Sequence, residues 1–230
     1  VRIALPLLSL LLVLAPAFGA DDWEEVSRYD NLTLFRKEIP GNPVLAYRIA
    51  GSVNAPIAKL VTVITDTPRK REWMNRIQEA RVLHEYGPAD RLEYIHVHCP
   101  WPVKDRDFVY RTGVELDRER HRIVIRYASV DDPKWPEVSE NVRAFVFFGT
   151  FALTPSADGK STLVEAETHT DPRGAIPKWI VNLYQKKIAR QSLDGMLQQV
   201  AKPGIADAPV ALQLLASEAA PAPSPAPSPL

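Results

Sequence analysis

One short stretch, Glu93 to Cys99, brings a carboxylate, two imidazoles and a thiol close together. Strand alternation puts His96 and His98 on one face, the spacing of two zinc ligands, and Glu93, Ile95, Val97 and Cys99 on the other. No third ligand motif accompanies the two histidines, so a solvated outer face is expected for them and a metal ion is not. Cys99 has no neighbouring base and reads as a small buried hydrophobe rather than a nucleophile. Glu93 is an acid on an apolar face, so it sits either at a wet rim or against the polar end of a ligand. Gly-x-Ser-x-Gly, His-Glu-x-x-His, a phosphate loop and a dinucleotide glycine motif are all missing. Their absence argues against the chemistries those motifs mark, and no cofactor is expected.

Composition narrows the partners. The 230 residues carry 28 basic and 28 acidic side chains, a net charge of zero. That balance argues against a nucleic-acid partner, which needs a cationic surplus. With 46% hydrophobic and 24% charged residues, the chain has the make-up of an ordinary globular protein. A single cysteine excludes an internal disulfide. Val1 to Ala20 reads as a signal peptide: Arg2, the apolar run Ile3 to Val13, then small residues around Ala17-Phe18-Gly19. The expected location is therefore exported, periplasmic or secreted. Residues 205–230 read as a disordered tail rich in Pro, Ala and Ser, with Val210 to Leu215 at most a helical turn. One domain, residues 21–204, remains between them.

The elements that must position any site follow from periodicity. Asp22 to Val26 predicts a short helix, with Trp23 and Val26 on one face. Strands are expected at Leu32 to Lys37 and Leu45 to Val53, then a helix over Ala55 to Thr65. A further helix starts at Asp66-Thr67-Pro68 and carries Trp73, Met74 and Ile77 as its stripe. Six strands follow: Ala80 to His84, Leu92 to Cys99, Phe108 to Leu116, Arg122 to Val130, Arg143 to Leu153 and Thr162 to Thr170. The chain of elements closes with one long helix, about Ile176 to Lys202. The class is α+β. A single twisted antiparallel sheet of about eight strands must cover one face, chiefly with that last helix, and cannot close on it completely. A cavity is the expected result.

Three segments carry a resemblance. Trp101-Pro102-Val103-Lys104-Asp105-Arg106-Asp107-Phe108-Val109-Tyr110 is similar to the Trp-Pro-x-x-x-Arg-Asp-Phe/Tyr-Val-Tyr segment of START lipid-transfer domains. Asp171 to Asn182 resembles their junction between the last strand and the last helix, and Asp66 to Trp73 is similar to their helix segment. The resemblance implies a helix-grip fold, in which a curved antiparallel sheet wraps a C-terminal helix over an apolar cavity for one lipid. It implies non-enzymatic binding for transfer or sensing by a monomer that touches a membrane transiently. The guest is left open among phospholipid, sterol or hopanoid, and fatty acid. A cyclase or hydrolase of the wider helix-grip superfamily is the alternative.

Candidate ligand residues come from both sources. Alternation groups Tyr110 and Thr112 on the concave side; by the resemblance, Thr112 stands where a sterol carrier has a cavity arginine. His84 falls near a cavity glutamate of a ceramide carrier, or else is a surface histidine at a strand end. Tyr127, Phe148, Thr150, Ala166 and Thr168 are candidate walls, although Phe145, Phe147 and Phe151 make the opposite face equally apolar. Ile180, Tyr184, Ile188 and Ser192 occupy the resemblance's lid-facing positions. Lys178, Lys186, Lys187 and Arg190 form a basic cluster, an outer face or a headgroup contact. Trp135, in a Pro-bounded loop, is the expected gate at a lipid interface. Arg106 and Asp107 are expected to be structural.

Overall fold

Period-two alternation dominates the molecule, and the computed structural model, which describes residues 22–219, builds from it a ten-stranded sheet. The strands are β1 (Glu24–Tyr29), β2 (Leu32–Ile39), β3 (Asn42–Val53), β4 (Ile77–Gly87), β5 (Asp90–Val97), β6 (Arg106–Asp117), β7 (Arg122–Ser129), β8 (Val142–Arg143), β9 (Phe145–Pro155) and β10 (Thr162–Asp171). Their order is β1-β2-β3-β10-β9-β7-β6-β5-β4. All pairs are antiparallel except the short β8, which runs parallel to β6. Helices α1 (Ile57–Thr65), α2 (Lys178–Val200) and α3 (Pro209–Ala219), with a 3₁₀ helix at Thr67–Glu72, complete an α+β fold.

One face of the sheet carries the helices. Across it the ladders align Ile123 with Leu153 and Val164, and Ile125 with Phe151 and Ala166. These side chains meet Leu60, Val61 and Ile64 of α1 and Leu193, Met196 and Val200 of α2 in one apolar core. Gly195 lets α2 cross the 3₁₀ segment closely: a Cβ there would stand 2.1 Å from the Trp73 carbonyl oxygen. The registers also sort the connections into two ends. Tight hairpin turns occupy one end. At the other lie the β2–β3 turn, the segments 98–105, 130–141 and 172–177, and the start of α2.

Several expectations are corrected. Asp22 to Val26 is not helical; five residues cannot sustain a helix alone, and Glu24 pairs across to Arg36 with two bonds of 2.8 Å from the edge strand β1. The helix expected from Asp66 to Ile77 shrinks to the 3₁₀ turn, because Ile77 pairs with Val97 and opens β4. Arg143 to Leu153 is interrupted at Ala144, whose N–H donates to the Asp107 carbonyl. Residues 205–219 are not the disordered tail expected of them: Ile205, Ala208, Ala211 and Leu214 are buried, and α3 covers the outward side of α1. The signal segment, residues 1–20, and the stretch from 220 onward lie outside the described residues.

Candidate functional site

A buried polar cluster interrupts the apolar face near β5 and β6. Glu93 is fully buried, and its Oε2 accepts from the ammonium of Lys70 on the 3₁₀ helix. The Tyr110 hydroxyl donates to the same oxygen at 3.2 Å and accepts from Lys70 Nζ at 3.2 Å. Arg91 Nε donates to Oε1 at 3.1 Å. Burial opposes ionisation of Glu93, but Lys70 and Arg91 outweigh it and hold the carboxyl below the usual range. Burial also lowers Lys70, with Glu93 pulling the other way, and drives the Tyr110 phenol well up. The cluster satisfies its own charges on the helix-bearing side of the sheet.

The remaining candidates divide by face. Tyr127, Ala166 and Thr168 share the helix-bearing face with Tyr110 and the buried Thr112. Phe148 and Thr150 do not; with Trp23, Lys37, Arg48 and Arg126 they line an open depression of about 670 Å³ on the opposite face. A bulge between His169 and Thr170 resets the register there, so Phe147 and Phe148 both lie against His169. His84 is exposed on the edge strand with its ring against Tyr86, because bulges in β4 turn it outward. Trp135 is no free gate: Arg81 lies over its ring and Arg143 Nη1 takes its carbonyl at 3.1 Å.

The lid-facing positions expected on helix α2 are not its most buried ones. Among its described side chains, Val181, Leu193, Met196, Gln199 and Val200 are buried. Ile180, Tyr184 and Ser192 are only half-buried, and Ile188 is exposed. This helix meets the core partly with polar groups that bond to distant elements. The Asn182 carbonyl accepts from the Tyr47 hydroxyl at 2.8 Å, and Gln199 Nε2 donates to Glu72 at 2.7 Å. Arg76 stands over the Tyr184 ring. Lys178 pairs with Asp171 at 3.2 Å, Lys187 and Arg190 are exposed, and the side chain of Lys186 lies outside the described ones.

The loop end is organised by the pair expected to be structural. Arg106 donates to the carbonyls of Lys104, Pro172 and Arg173, and Asp107 forms a two-bond ion pair with Arg143 at 2.9 and 3.0 Å. His96 of β5 and His98 just beyond it both reach Asp105: His96 Nε2 at 3.0 Å and His98 Nδ1 at 3.1 Å. Asp105 also accepts the Cys99 N–H at 2.8 Å, closing the neck of the segment that carries Trp101. Trp101 is 92% exposed and Trp179, in the first turn of α2, 69%. Sequence reasoning missed these two and Lys70. The signal for Lys70 was available, since an acid buried on an apolar face demands a buried cation.

Gly149 makes the Tyr127 position possible. A Cβ on Gly149 would fall 2.0 Å from the Tyr127 ring, which lies across it. Gly149→Ala is therefore expected to cost about 1–3 kcal/mol in denaturant unfolding. Adding Tyr127→Ala should not add its own full cost, since the clash goes with the ring. Strict additivity of the two would refute the contact.

Against this geometry stand the comparisons. Residues 10–203 match the START domain family model. An uncharacterized protein of Pseudomonas aeruginosa is 26% identical over 196 residues, covering 83% of this chain and 95% of its own length. START domain-containing protein 10 of human is 27% identical over 150 residues, 65% of this chain; the chain matches only 50% of that relative's length. Among solved structures, human STARD10 superposes with a TM-score of 0.73 at 20% identity, covering 90% of this chain and 85% of that one. A fragment of the STAR-related lipid transfer protein from Xanthomonas axonopodis gives 0.70 at 23%, covering 79% and 100%. Those two likenesses establish the fold.

Proposed function

Because the chain belongs to the START domain family, we propose that it holds a single lipid between the helix-bearing face of the sheet and α2, for transfer or sensing and without chemistry. One observation carries the reading. Tyr110 and Tyr127 have phenols that burial drives above their ordinary pKa, yet neither residue is fully buried. Side chains withdrawn from bulk water but not packed shut are what the wall of an internal space would present. The relatives' names speak of lipid transfer, which fits that space.

The lipid lies with its polar end at Lys70, Glu93 and Tyr110 and its apolar body toward the loop end. Alkyl groups gain about 0.8 kcal/mol per CH₂ on leaving water, in the protein as in a bilayer, so exchange between the two is close to neutral. Hydrogen bonds at the cluster then choose among guests. Trp101 and Trp179 stand at the loop end as aromatic anchors for brief contact with a membrane surface. The reading keeps an exported location, in which such a carrier serves periplasmic or outside membranes.

The test is extraction of the purified chain with organic solvent, followed by mass spectrometry of what it held. A lipid bound in stoichiometric amount is expected. Thr168→Trp should fill the space and abolish loading, whereas His84→Trp, on the exposed edge, should leave loading intact. A chain that holds no lipid and moves none between vesicles overturns the proposal.

A further inference from the structure

The two imidazoles on Asp105 have no part in holding a lipid, and their placement at the neck of the Trp101 segment calls for a use. We infer that the loop end docks on an anionic bilayer surface, and that protonation of His96 and His98 strengthens the docking. This rests on the lipid-carrier reading and adds to it the charge of the membrane and its dependence on acid.

The geometry is specific. An ionised carboxylate only accepts hydrogen bonds, so each ring must present an N–H to Asp105, His96 through Nε2 and His98 through Nδ1. Neutral rings can do this, leaving the trio with one net negative charge. Protonation adds the second N–H to each ring and turns the trio to one net positive charge without breaking either bond. Histidine is the residue type that makes this change near neutral pH.

The carboxylates that face His96 across the ladders are already paired. Glu79 on β4 and Asp107 on β6 stand opposite His96 in the ladders, but Glu79 pairs with Arg81 at 2.7 Å and Asp107 with Arg143. The backbone N–H of His98 goes to the Arg76 carbonyl, and the Arg76 guanidinium lies over Tyr184. Lys104 Nζ donates to the Ser139 carbonyl at 3.2 Å, and Arg106 turns to three carbonyls. The His98 side chain is 51% exposed and opens the segment that carries the exposed Trp101, so the added charge is open to the surface there. Cations close to an anionic leaflet strengthen attachment within a Debye length.

The experiment is vesicle sedimentation with the full chain. Vesicles of phosphatidylcholine alone are compared with vesicles holding about a third phosphatidylglycerol, at about pH 8 and about pH 5.5. Binding to the anionic vesicles should tighten on the order of tenfold in acid, with no change on neutral ones. His96→Gln with His98→Gln should bring the affinities at the two pH values together, while His84→Gln keeps the difference. An acid gain that survives the double variant, or no gain in the unaltered chain, overturns the inference. Solvent extraction of the same preparations reports separately on lipid carriage. A lipid-loaded chain without an acid gain sinks only this inference; an acid gain without lipid sinks only the carrier reading.

Discussion

Glu93→Gln is expected to destabilise the fold by about 3–5 kcal/mol, because it strands the Lys70 ammonium in a buried site with no counter-charge. Glutamine keeps the shape and one acceptor for the Tyr110 hydroxyl, so the loss measures charge rather than packing. Replacing both partners, Lys70→Met with Glu93→Leu, should restore most of the stability, since desolvation of two ions disappears together with their attraction. Denaturant unfolding of the three variants decides the matter. A double variant as unstable as the single one would mean that the pair is held for its packing alone. In the same double variant the lipid recovered on extraction should shift toward guests with little polar surface, or fall away.

The pH dependence has a definite sign. Lys70 and Arg91 hold the folded Glu93 carboxyl below its ordinary range. Its contribution is thus complete above the unfolded carboxylate value and disappears as pH falls through the lower folded one. The gap in stability between the unaltered chain and Glu93→Gln should therefore narrow in acid. A gap that stays constant down through the carboxylate range would show that Glu93 is not ionised in the folded protein.

Strand alternation made most of the sheet legible from residue order, because period two survives wherever one face meets a core. β5, β6, β7 and β10 fall within a few residues of their expected places. Faces were another matter. On β9, Phe145, Phe147, Phe148 and Phe151 offer apolar groups to both sides, and only the bulge opposite His169 and the pairing of Phe151 with Ile125 decide between them. The inward side of α2 was hard to read for a related reason: Asn182 and Gln199 bond to groups more than a hundred residues away in the chain. Glu93 could be singled out as an acid on an apolar strand, yet Lys70 comes from a 3₁₀ turn whose packing no local pattern announces. Trp135 and Trp101 were equally loop tryptophans in the sequence. The carbonyl bonds from Arg143 separate them, holding the first down while the second stays exposed.

Ending the chain at Gly204 is expected to leave a protein near the edge of unfolding, although the family match itself stops at residue 203. The removed segment includes Ile205 and Leu214, which are 5% and 0% exposed. Burying side chains of that size is worth about 1.5–3 kcal/mol each, against total stabilities of about 5–15 kcal/mol. Their loss also uncovers α1, whose Ile57, Ala58 and Val61 are buried in the intact chain on all sides. Two polar ties go as well: Lys59 Nζ donates to the Ile205 carbonyl at 2.7 Å, and the Ala208 N–H to the Ala58 carbonyl at 3.0 Å. Calorimetry should show Tm falling by about 10 °C or more. Leu214→Ala in the full chain should reproduce part of the loss, about 2–5 kcal/mol, without removing the ties. A truncated chain that melts with the full one would show α3 to be an appendage. If it melts early, α3 is the third cover of the core, and the α1 helix it protects is what keeps the Thr67–Glu72 turn, and with it Lys70, in place beneath the sheet.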